Sequence, residues 1–215
     1  GSCTTGFGDG SERREEPHRS YAAFADFLAR ELGDGYAGWY ASACADIVKT
    51  DVDLRLYRMC RYRTYATDFP ASAPKLKWYK DIGEVVMHSN LASTENNLSL
   101  AFRSSTFGSG SHTLADQNSF NLLYGGKEVY YHTGYYLNFS DAHNLMSYRH
   151  TRAHNSILVD GIGQPFSTEG YGMLLRAAGG EHIGYCLGDA SHAYCGISED
   201  PMWIESFQKA GIEQT

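Results

Sequence analysis

A proline-bracketed break at residues 70–74 (Pro-Ala-Ser-Ala-Pro) divides this sequence into two parts with different hydrophobic periods. Before the break, apolar and aromatic residues recur at every third or fourth position, which is the spacing of one face of a helix. The pattern predicts a helix from about residue 20 to the glycine at position 33, a second at 36–50 and a shorter one at 54–59. The amino-terminal part is therefore predicted to be helical.

After the break, short apolar stretches alternate with glycine- and asparagine-rich turns, a pattern typical of antiparallel strands. The predicted strands lie at 78–88, 98–102, 118–124, 128–131, 156–159 and 182–187. Many short strands at regular spacing favour an antiparallel β-sandwich. The fold class predicted for the whole chain is α+β, with helices in residues 1–70 and a sandwich in residues 75–215.

The segment at residues 108–163 concentrates imidazole and phenol side chains. Five of the nine histidines lie there: His112, His132, His143, His150 and His154. Several tyrosines lie among them. These two side chains are well suited to proton transfer on a polar substrate. An aromatic-rich sandwich whose histidines are only hydrogen-bonded explains the same pattern equally well, and the composition alone leaves both interpretations open.

Charge and hydropathy exclude two classes of partner. The net charge of −7 lacks the basic footprint of a nucleic-acid-binding protein. An anionic substrate is still compatible with this charge, because a local cluster of Arg and His can override the total. No apolar run reaches the roughly 18 residues that a membrane-spanning helix needs. The five cysteines include no CxxC pair, which disfavours zinc ribbons and redox motifs.

Four short motifs carry a resemblance to a known family. They are DIGEVVMHS at 81–89, Ser-His at 111–112, ADQNSF at 115–120 and AHNSILVDG at 153–161. In this order and spacing they resemble the heparinase II/III-like polysaccharide lyases over about residues 78–165. The family's fold is an incomplete (α/α) toroid followed by an antiparallel β-sandwich. The resemblance implies that residues 1–70 are the end of the toroid and 75–215 the sandwich.

The resemblance also implies a reaction. Members of the family cleave uronic-acid-containing polysaccharides, such as heparin, heparan sulfate or alginate, by β-elimination. Because the family's proton-relay tyrosine lies further upstream in the toroid, and further sandwich strands are expected downstream, we expect this chain to be an internal fragment that is inactive alone. The substrate class implies a bacterial periplasmic or secreted protein, and a homodimer is left open.

Site residues follow by matching motif positions. His112 takes the place of the family's active-site histidine, for carboxylate neutralisation or proton transfer. Tyr135 and Tyr136 match an aromatic pair that lines the substrate cleft. Arg149 and Arg152 are expected either to contact substrate carboxylate or sulfate groups or to be surface charges.

The family carries a structural zinc in the sandwich, and the corresponding positions here are Leu114, His132 and His154. Leucine cannot ligate zinc, so the resemblance implies a site with His132 and His154 as ligands and His143 or His150 to complete the set. The alternative is a hydrogen-bonded histidine pair. The competing function is a carbohydrate-binding or scaffolding sandwich that keeps the lyase fold without turnover. A hydrolase with paired carboxylates is disfavoured, because no acidic pair stands out among the motifs.

Overall fold

The computed structural model describes residues 7–8, 19–44, 52–61, 63–110, 112–132, 140–194 and 201–212. The chain divides into two compact units. One is Glu15–Pro74, and the other contains Lys75–Thr215. The boundary falls at Pro74, inside the proline-bracketed break.

The first unit is helical. Its helices are α1 (Arg19–Phe27), which continues as a π-helix at Leu28–Leu32, α2 (Gly35–Ala43) and α3 (Val52–Cys60). Gly33 ends the first of these with a positive φ of 70°, a conformation that glycine adopts at little cost. The first and third helices occur where the sequence predicts them. The second ends at Ala43 rather than near residue 50, and residues 45–50 lie outside the described part of the chain.

A buried carboxylate holds this unit together. The side chain of Asp26 accepts hydrogen bonds from Arg30 Nε at 2.9 Å, Arg58 Nε at 2.9 Å and the Tyr65 hydroxyl at 2.8 Å. Burial raises the pKa of Asp26, but the hydrogen bonds from Arg58, Arg30 and Tyr65 outweigh burial and leave that pKa below its ordinary value. Asp26 therefore joins α1, α3 and the segment that follows α3.

The second unit is built on a five-stranded antiparallel sheet. Its strands, in spatial as well as chain order, are β1 (Leu76–Tyr79), β2 (Glu84–His88), β3 (Leu98–Arg103), β4 (Ser119–Tyr124) and β5 (Lys127–Tyr130). Side chains of paired residues lie on the same face of a sheet. The pairs Arg103–Ser119 and Ala101–Asn121 place one set of buried, largely polar side chains on a single face.

A second antiparallel layer covers the other face. It is the hairpin of β6 (Met173–Gly179) and β7 (Gly184–Asp189). The backbone of this hairpin packs closely on the sheet, because an added Cβ at Gly179 would lie 3.1 Å from Leu76 and one at Gly184 would lie 3.0 Å from Met87. The glycines permit this approach of the two layers. The predicted α+β class, with helices first and antiparallel sheets after, is confirmed.

Three predicted details of this unit differ. The stretch at 78–88 is not one strand: it contains the end of β1, a turn at 80–83 and β2, because Gly83 with its positive φ of 70° allows the chain to reverse. The stretch at 156–159 is not a strand; only an isolated bridge joins Val159 to Ile162 across the Asp160-Gly161 turn. Strand β6 was not predicted, because Leu, Arg and Ala favour helices and its side chains do not alternate cleanly. Pairing with β7 overrides that preference. A helix, α4 (Pro201–Lys209), follows, and its Trp203 packs in a buried cluster with Ala115, Leu145 and Phe166.

None of the helices in the described ranges is long and apolar enough to span a membrane.

Candidate active site

His112 lies on the loop that connects β3 to β4, and its side chain is exposed. The strands bring the two ends of this loop together at one end of the sheet, since Arg103 pairs with Ser119. An exposed imidazole on a loop is useful for catalysis only if the loop has a defined conformation. Contacts made by the residues on either side of His112 fix the conformation of this loop.

An ion pair anchors the carboxyl-terminal side of the loop. Arg103 and Asp116 are both buried, and Arg103 Nη1 donates to the Asp116 carboxylate. Glu84 on β2 lies 3.9 Å from Arg103 Nε. Burial raises the pKa of Glu84, opposed by the charge of Arg103 and supported by that of Asp116. The Asp of the ADQNSF motif therefore acts on the loop through Arg103, as a holding residue.

Gln117, from the same motif, is the centre of a buried amide network. Its Oε1 accepts from the Ser105 backbone N–H at 2.7 Å, and its Nε2 donates to Gly108 O at 3.3 Å. Its own backbone N–H donates to Gln164 Oε1 at 2.7 Å. The Gln117 side chain thus joins the segment before His112 to the segment after it, and Gln164 ties Gln117 to the chain after the AHNSILVDG motif.

Arg149 holds the His112 loop from the protein interior. Its side chain is fully buried, and Nη2 donates to the backbone carbonyls of Thr113 and, at 3.5 Å, Ser109. These two carbonyls lie on either side of His112. The guanidinium carbon lies 4.1 Å from the centroid of the Trp203 ring, which is within cation–π distance. The Arg149 carbonyl accepts from Ala115 N at 3.0 Å.

The two arginines predicted to contact substrate differ in their exposure. Arg149 has no exposed surface, so a direct substrate contact has no support in this arrangement; its contacts support a role in positioning the His112 loop. Arg152 is exposed, and its Nε lies 3.3 Å from His150 Nδ1. Substrate binding by Arg152 stays a prediction. Tyr135 and Tyr136 lie outside the described residues.

His132 and His154 lie side by side in the structure. Both are buried, and their rings are nearly parallel at 29° with centroids 5.7 Å apart. His154 Nε2 lies 3.0 Å from Tyr148 O, and the His132 backbone N–H donates to Asn121 Oδ1. Burial, with a smaller effect of His154, lowers the pKa of His132 to about 4, and burial also lowers the pKa of His154. Both rings are therefore neutral near pH 7.

The same geometry tests the implied zinc site. A structural zinc takes four ligands, usually all from protein side chains. Leu114 is 4% exposed and apolar, and no group of three or more His, Cys, Asp or Glu side chains that could hold a metal occurs among the described residues. The undescribed residues 133–139 contain none of these four types. Among the described residues, those near His132 and His154 do not fit a zinc ion, and zinc binding stays an untested prediction.

Comparison with known proteins identifies the family. The profile described as "Heparinase II/III-like, C-terminal" matches residues 71–185, which is more than half of the chain. The chain belongs to the heparinase II/III-like family. The match includes His112, Gln117, Arg149 and His154, and it ends before α4 and Trp203. No curated protein matches the chain.

Solved structures of heparinase II/III-like lyases share the fold. The heparan sulfate lyase HepC from Pedobacter heparinus aligns with a TM-score of 0.55 at 16% identity, covering 86% of this chain and 25% of that one. A structure of heparinase III aligns with a TM-score of 0.53 at 15% identity, covering 84% of this chain and 25% of that one. This chain therefore spans about a quarter of the length of the solved structures it matches.

Of the residues that hold the His112 loop, two were not predicted from the sequence and a third was predicted in a different role. Gln164 and Trp203 gave no local signal, because each acts through a contact distant in sequence. Arg149 was noticed, but the sequence gives no indication that its side chain is buried. Gln117 stood within a recognised motif, and only the structure reveals its hydrogen-bonding partners.

Proposed function

We propose that the protein carrying this chain is a lyase that cleaves a uronate-containing polysaccharide by β-elimination, with His112 in the active site. One observation carries the proposal. His112 is exposed on a loop whose backbone accepts hydrogen bonds from the buried Arg149 side chain, in a domain of the heparinase II/III-like family. The loop presents an imidazole to solvent in a defined position, which catalysis by positioned groups requires.

The elimination needs three events at one uronate residue. The C5 proton is removed, the resulting electron pair forms a C4–C5 double bond, and the C4–O bond breaks with protonation of the leaving oxygen. Carboxylate neutralisation lowers the cost of negative charge that develops beside C5. His112 can donate a hydrogen bond to that carboxylate or move one of the protons. Tyr135 and Tyr136 are proposed to line the cleft, and Arg152 to meet an anionic group.

Heparan sulfate is the substrate we propose to test first. Two of the structures that share the fold are named as a heparan sulfate lyase and a heparinase III. Heparin and alginate follow, since the motifs resemble a family that also cleaves them. This substrate class supports a periplasmic or secreted location in a bacterium.

One observation favours a second function. The buried Leu114 stands where the family has a zinc ligand, so this protein departs from the family's usual sandwich chemistry. A sandwich that has lost part of that chemistry could bind a polysaccharide without cleaving it. Only the lyase makes a new product, which allows the two functions to be separated.

The test is ultraviolet absorbance on a panel of polysaccharides, using the natural full-length protein that carries this sequence. Elimination leaves a 4,5-unsaturated uronate that absorbs in the near ultraviolet, whereas hydrolysis and binding do not. We expect absorbance to grow on heparan sulfate, heparin or alginate, accompanied by shorter chains on a gel. A folded protein that retains these polymers on an affinity column without any absorbance change would contradict the lyase and support the binding function.

A further inference from the structure

A second surface site lies at the turn between β1 and β2. A cavity of about 430 Å³ is open there, lined by Trp78, Tyr79, Lys80, Asp81 and Ile82. The turn is at the same end of the five-stranded sheet as the His112 loop, because Tyr79 pairs with Glu84, Glu84 with Arg103 and Arg103 with Ser119. The cavity and the His112 loop are therefore neighbours at this end of the sheet.

The cavity holds a positioned positive charge. Lys80 Nζ lies 4.8 Å from the centroid of the Trp78 ring, within the range of a cation–π interaction. Trp78 itself is half-buried, and its indole N–H has no hydrogen-bond partner among the described residues. A lysine side chain is ordinarily mobile, so contact with the ring reduces the entropy lost when its ammonium meets an anion.

The other lining groups suit a sugar. Tyr79 is 46% exposed, and an exposed aromatic ring can pack against the apolar face of a pyranose while its hydroxyl stays in water. Asp81 supplies a carboxylate that accepts hydrogen bonds from hydroxyl groups. An ammonium, a carboxylate and an aromatic ring together match a ligand that carries both an anionic group and several hydroxyls.

The turn is tied to the framework that holds His112. Gly83 has a φ of +70°, and its carbonyl accepts from Ser104 N at 2.9 Å. The next residue, Ser105, donates its backbone N–H to Gln117 Oε1. A side chain at position 83 would collide with the backbone of Ser104 and Ser105, so the two segments are packed without a gap. The site therefore keeps a fixed relation to the His112 loop.

We propose that the Trp78–Ile82 turn is an accessory subsite for an anionic sugar residue of the same polysaccharide chain, outside the residue cleaved near His112. The inference rests on the proposed function, since it assumes a uronate- or sulfate-bearing polymer. Lys80 pairs with the carboxylate or sulfate, Tyr79 packs on the ring, and Asp81 accepts from hydroxyls. The subsite strengthens binding of long chains and does not take part in bond cleavage.

The experiment compares Lys80→Gln with Lys127→Gln in the natural full-length protein, each combined with His112→Ala to prevent turnover. Lys127 begins β5 at the opposite end of the sheet and is also exposed, so it is a matched control for loss of one surface charge. Affinity for a long heparan sulfate oligosaccharide and for a disaccharide is measured by calorimetry. Thermal unfolding checks that each variant is folded.

We expect Lys80→Gln to weaken binding of the long oligosaccharide by roughly fivefold to tenfold, as for loss of one charge-assisted contact, and to leave the disaccharide unchanged. Lys80→Arg should retain most of the affinity, and Tyr79→Ala should weaken it where Tyr124→Ala at the opposite end does not. In the enzyme with His112 intact, Lys80→Gln should raise KM for the polymer with kcat unchanged.

Two results overturn the inference, and they are distinguishable. If the parent protein binds and cleaves the polymer while Lys80→Gln behaves like Lys127→Gln, the subsite is wrong and the lyase stands. If the parent protein neither binds nor cleaves any polymer of the panel, the proposed function and the subsite fail together. Binding that is weakened by Lys80→Gln in a protein without lyase activity would support the subsite and remove the lyase.

Discussion

The guanidinium of Arg149 lies 4.1 Å from the ring centroid of Trp203 and donates to the Thr113 carbonyl beside His112. Trp203 is fully buried on α4, beyond the residues that the family profile matches. The His112 loop is therefore supported by a helix that the family resemblance did not indicate. Arg149 and Trp203 hold the loop in position, whereas His112 carries the imidazole proposed for the chemistry.

Arg149→Met is expected to reduce kcat by roughly 10- to 100-fold with little change in KM, because a displacement of His112 by about an ångström is enough for such a loss. It also leaves the part-buried Thr113 carbonyl without its Arg149 donor, which costs about 1 kcal/mol of stability. Steady-state kinetics well below the unfolding temperature separate the two effects.

Arg149→Lys keeps the charge but loses the guanidinium fork, and it should recover only part of kcat. Arg152→Met, at the exposed neighbouring arginine, is the matched control and should leave the unfolding temperature near that of the parent. A loss of stability in Arg149→Met with kcat unchanged would show that Arg149 is structural and has no part in positioning His112.

Asp26→Ala is expected to destabilise the helical unit by about 3 kcal/mol, because it leaves the partly buried guanidinium groups of Arg30 and Arg58 without their carboxylate. Hydrogen exchange of peptides from α1 and α3 measures the opening of this unit by itself. The exposed Asp68→Ala is the control and should change the free energy of opening by no more than about 0.5 kcal/mol. Equal exchange in the two variants would refute the bridging role of Asp26.

Acid should destabilise the second unit between pH 6.5 and 4. Burial, with Arg152 and His154 adding to it, lowers the pKa of His150 to about 4, and burial chiefly lowers that of His132 to the same value. In the unfolded chain these groups titrate near 6.5. Between the two values the unfolded chain binds more protons, so stability is complete above about pH 6.5 and falls as the pH approaches 4.

Thermal unfolding from pH 7.5 to 4.5 measures this dependence. His150→Gln should lessen the fall in unfolding temperature, because one of the groups that takes up a proton on unfolding is gone. His182→Gln is the control, since the side chain of His182 is 85% exposed. An unchanged pH dependence in His150→Gln would contradict the assignment.

Metal analysis decides the zinc question. Because two stacked histidines and a buried leucine do not form a zinc site, we expect less than one zinc per ten chains in protein purified without chelator, and no change in unfolding temperature with EDTA. Zinc that is stoichiometric and is lost in His154→Gln would contradict this expectation and restore the site that the resemblance implied.

The sequence predicted the fold class well because periodicity reports local structure. The spacing of Tyr21, Phe24 and Leu28 and the alternation of residues 98–102 require no knowledge of the rest of the chain. Strand β6 could not be predicted in this way, since its strand conformation depends on β7. The predicted strand at 156–159 was wrong for the opposite reason. Its β-branched residues favour a strand, but among the described residues no neighbouring strand pairs with it beyond the isolated Val159–Ile162 bridge.

The site was predicted to the level of motifs and no further. His112, His132 and His154 were located by their neighbours in sequence, and the last two do lie together. The burial of Arg149 could not be predicted, because nothing in the local sequence distinguishes a buried arginine from an exposed one. Contacts between residues 109, 113, 149 and 203 arise only when the chain is folded.

The most direct test of the account replaces His112 and follows the ultraviolet absorbance of the unsaturated product. On the substrate that gives the strongest signal, His112→Ala should lower kcat at least about 100-fold while binding of that polymer changes little. His143→Ala, at another exposed histidine of the same stretch, should retain the parent rate. A His112→Ala variant with the parent kcat would contradict the central claim that His112 takes part in the elimination, by neutralising the carboxylate or by transferring a proton.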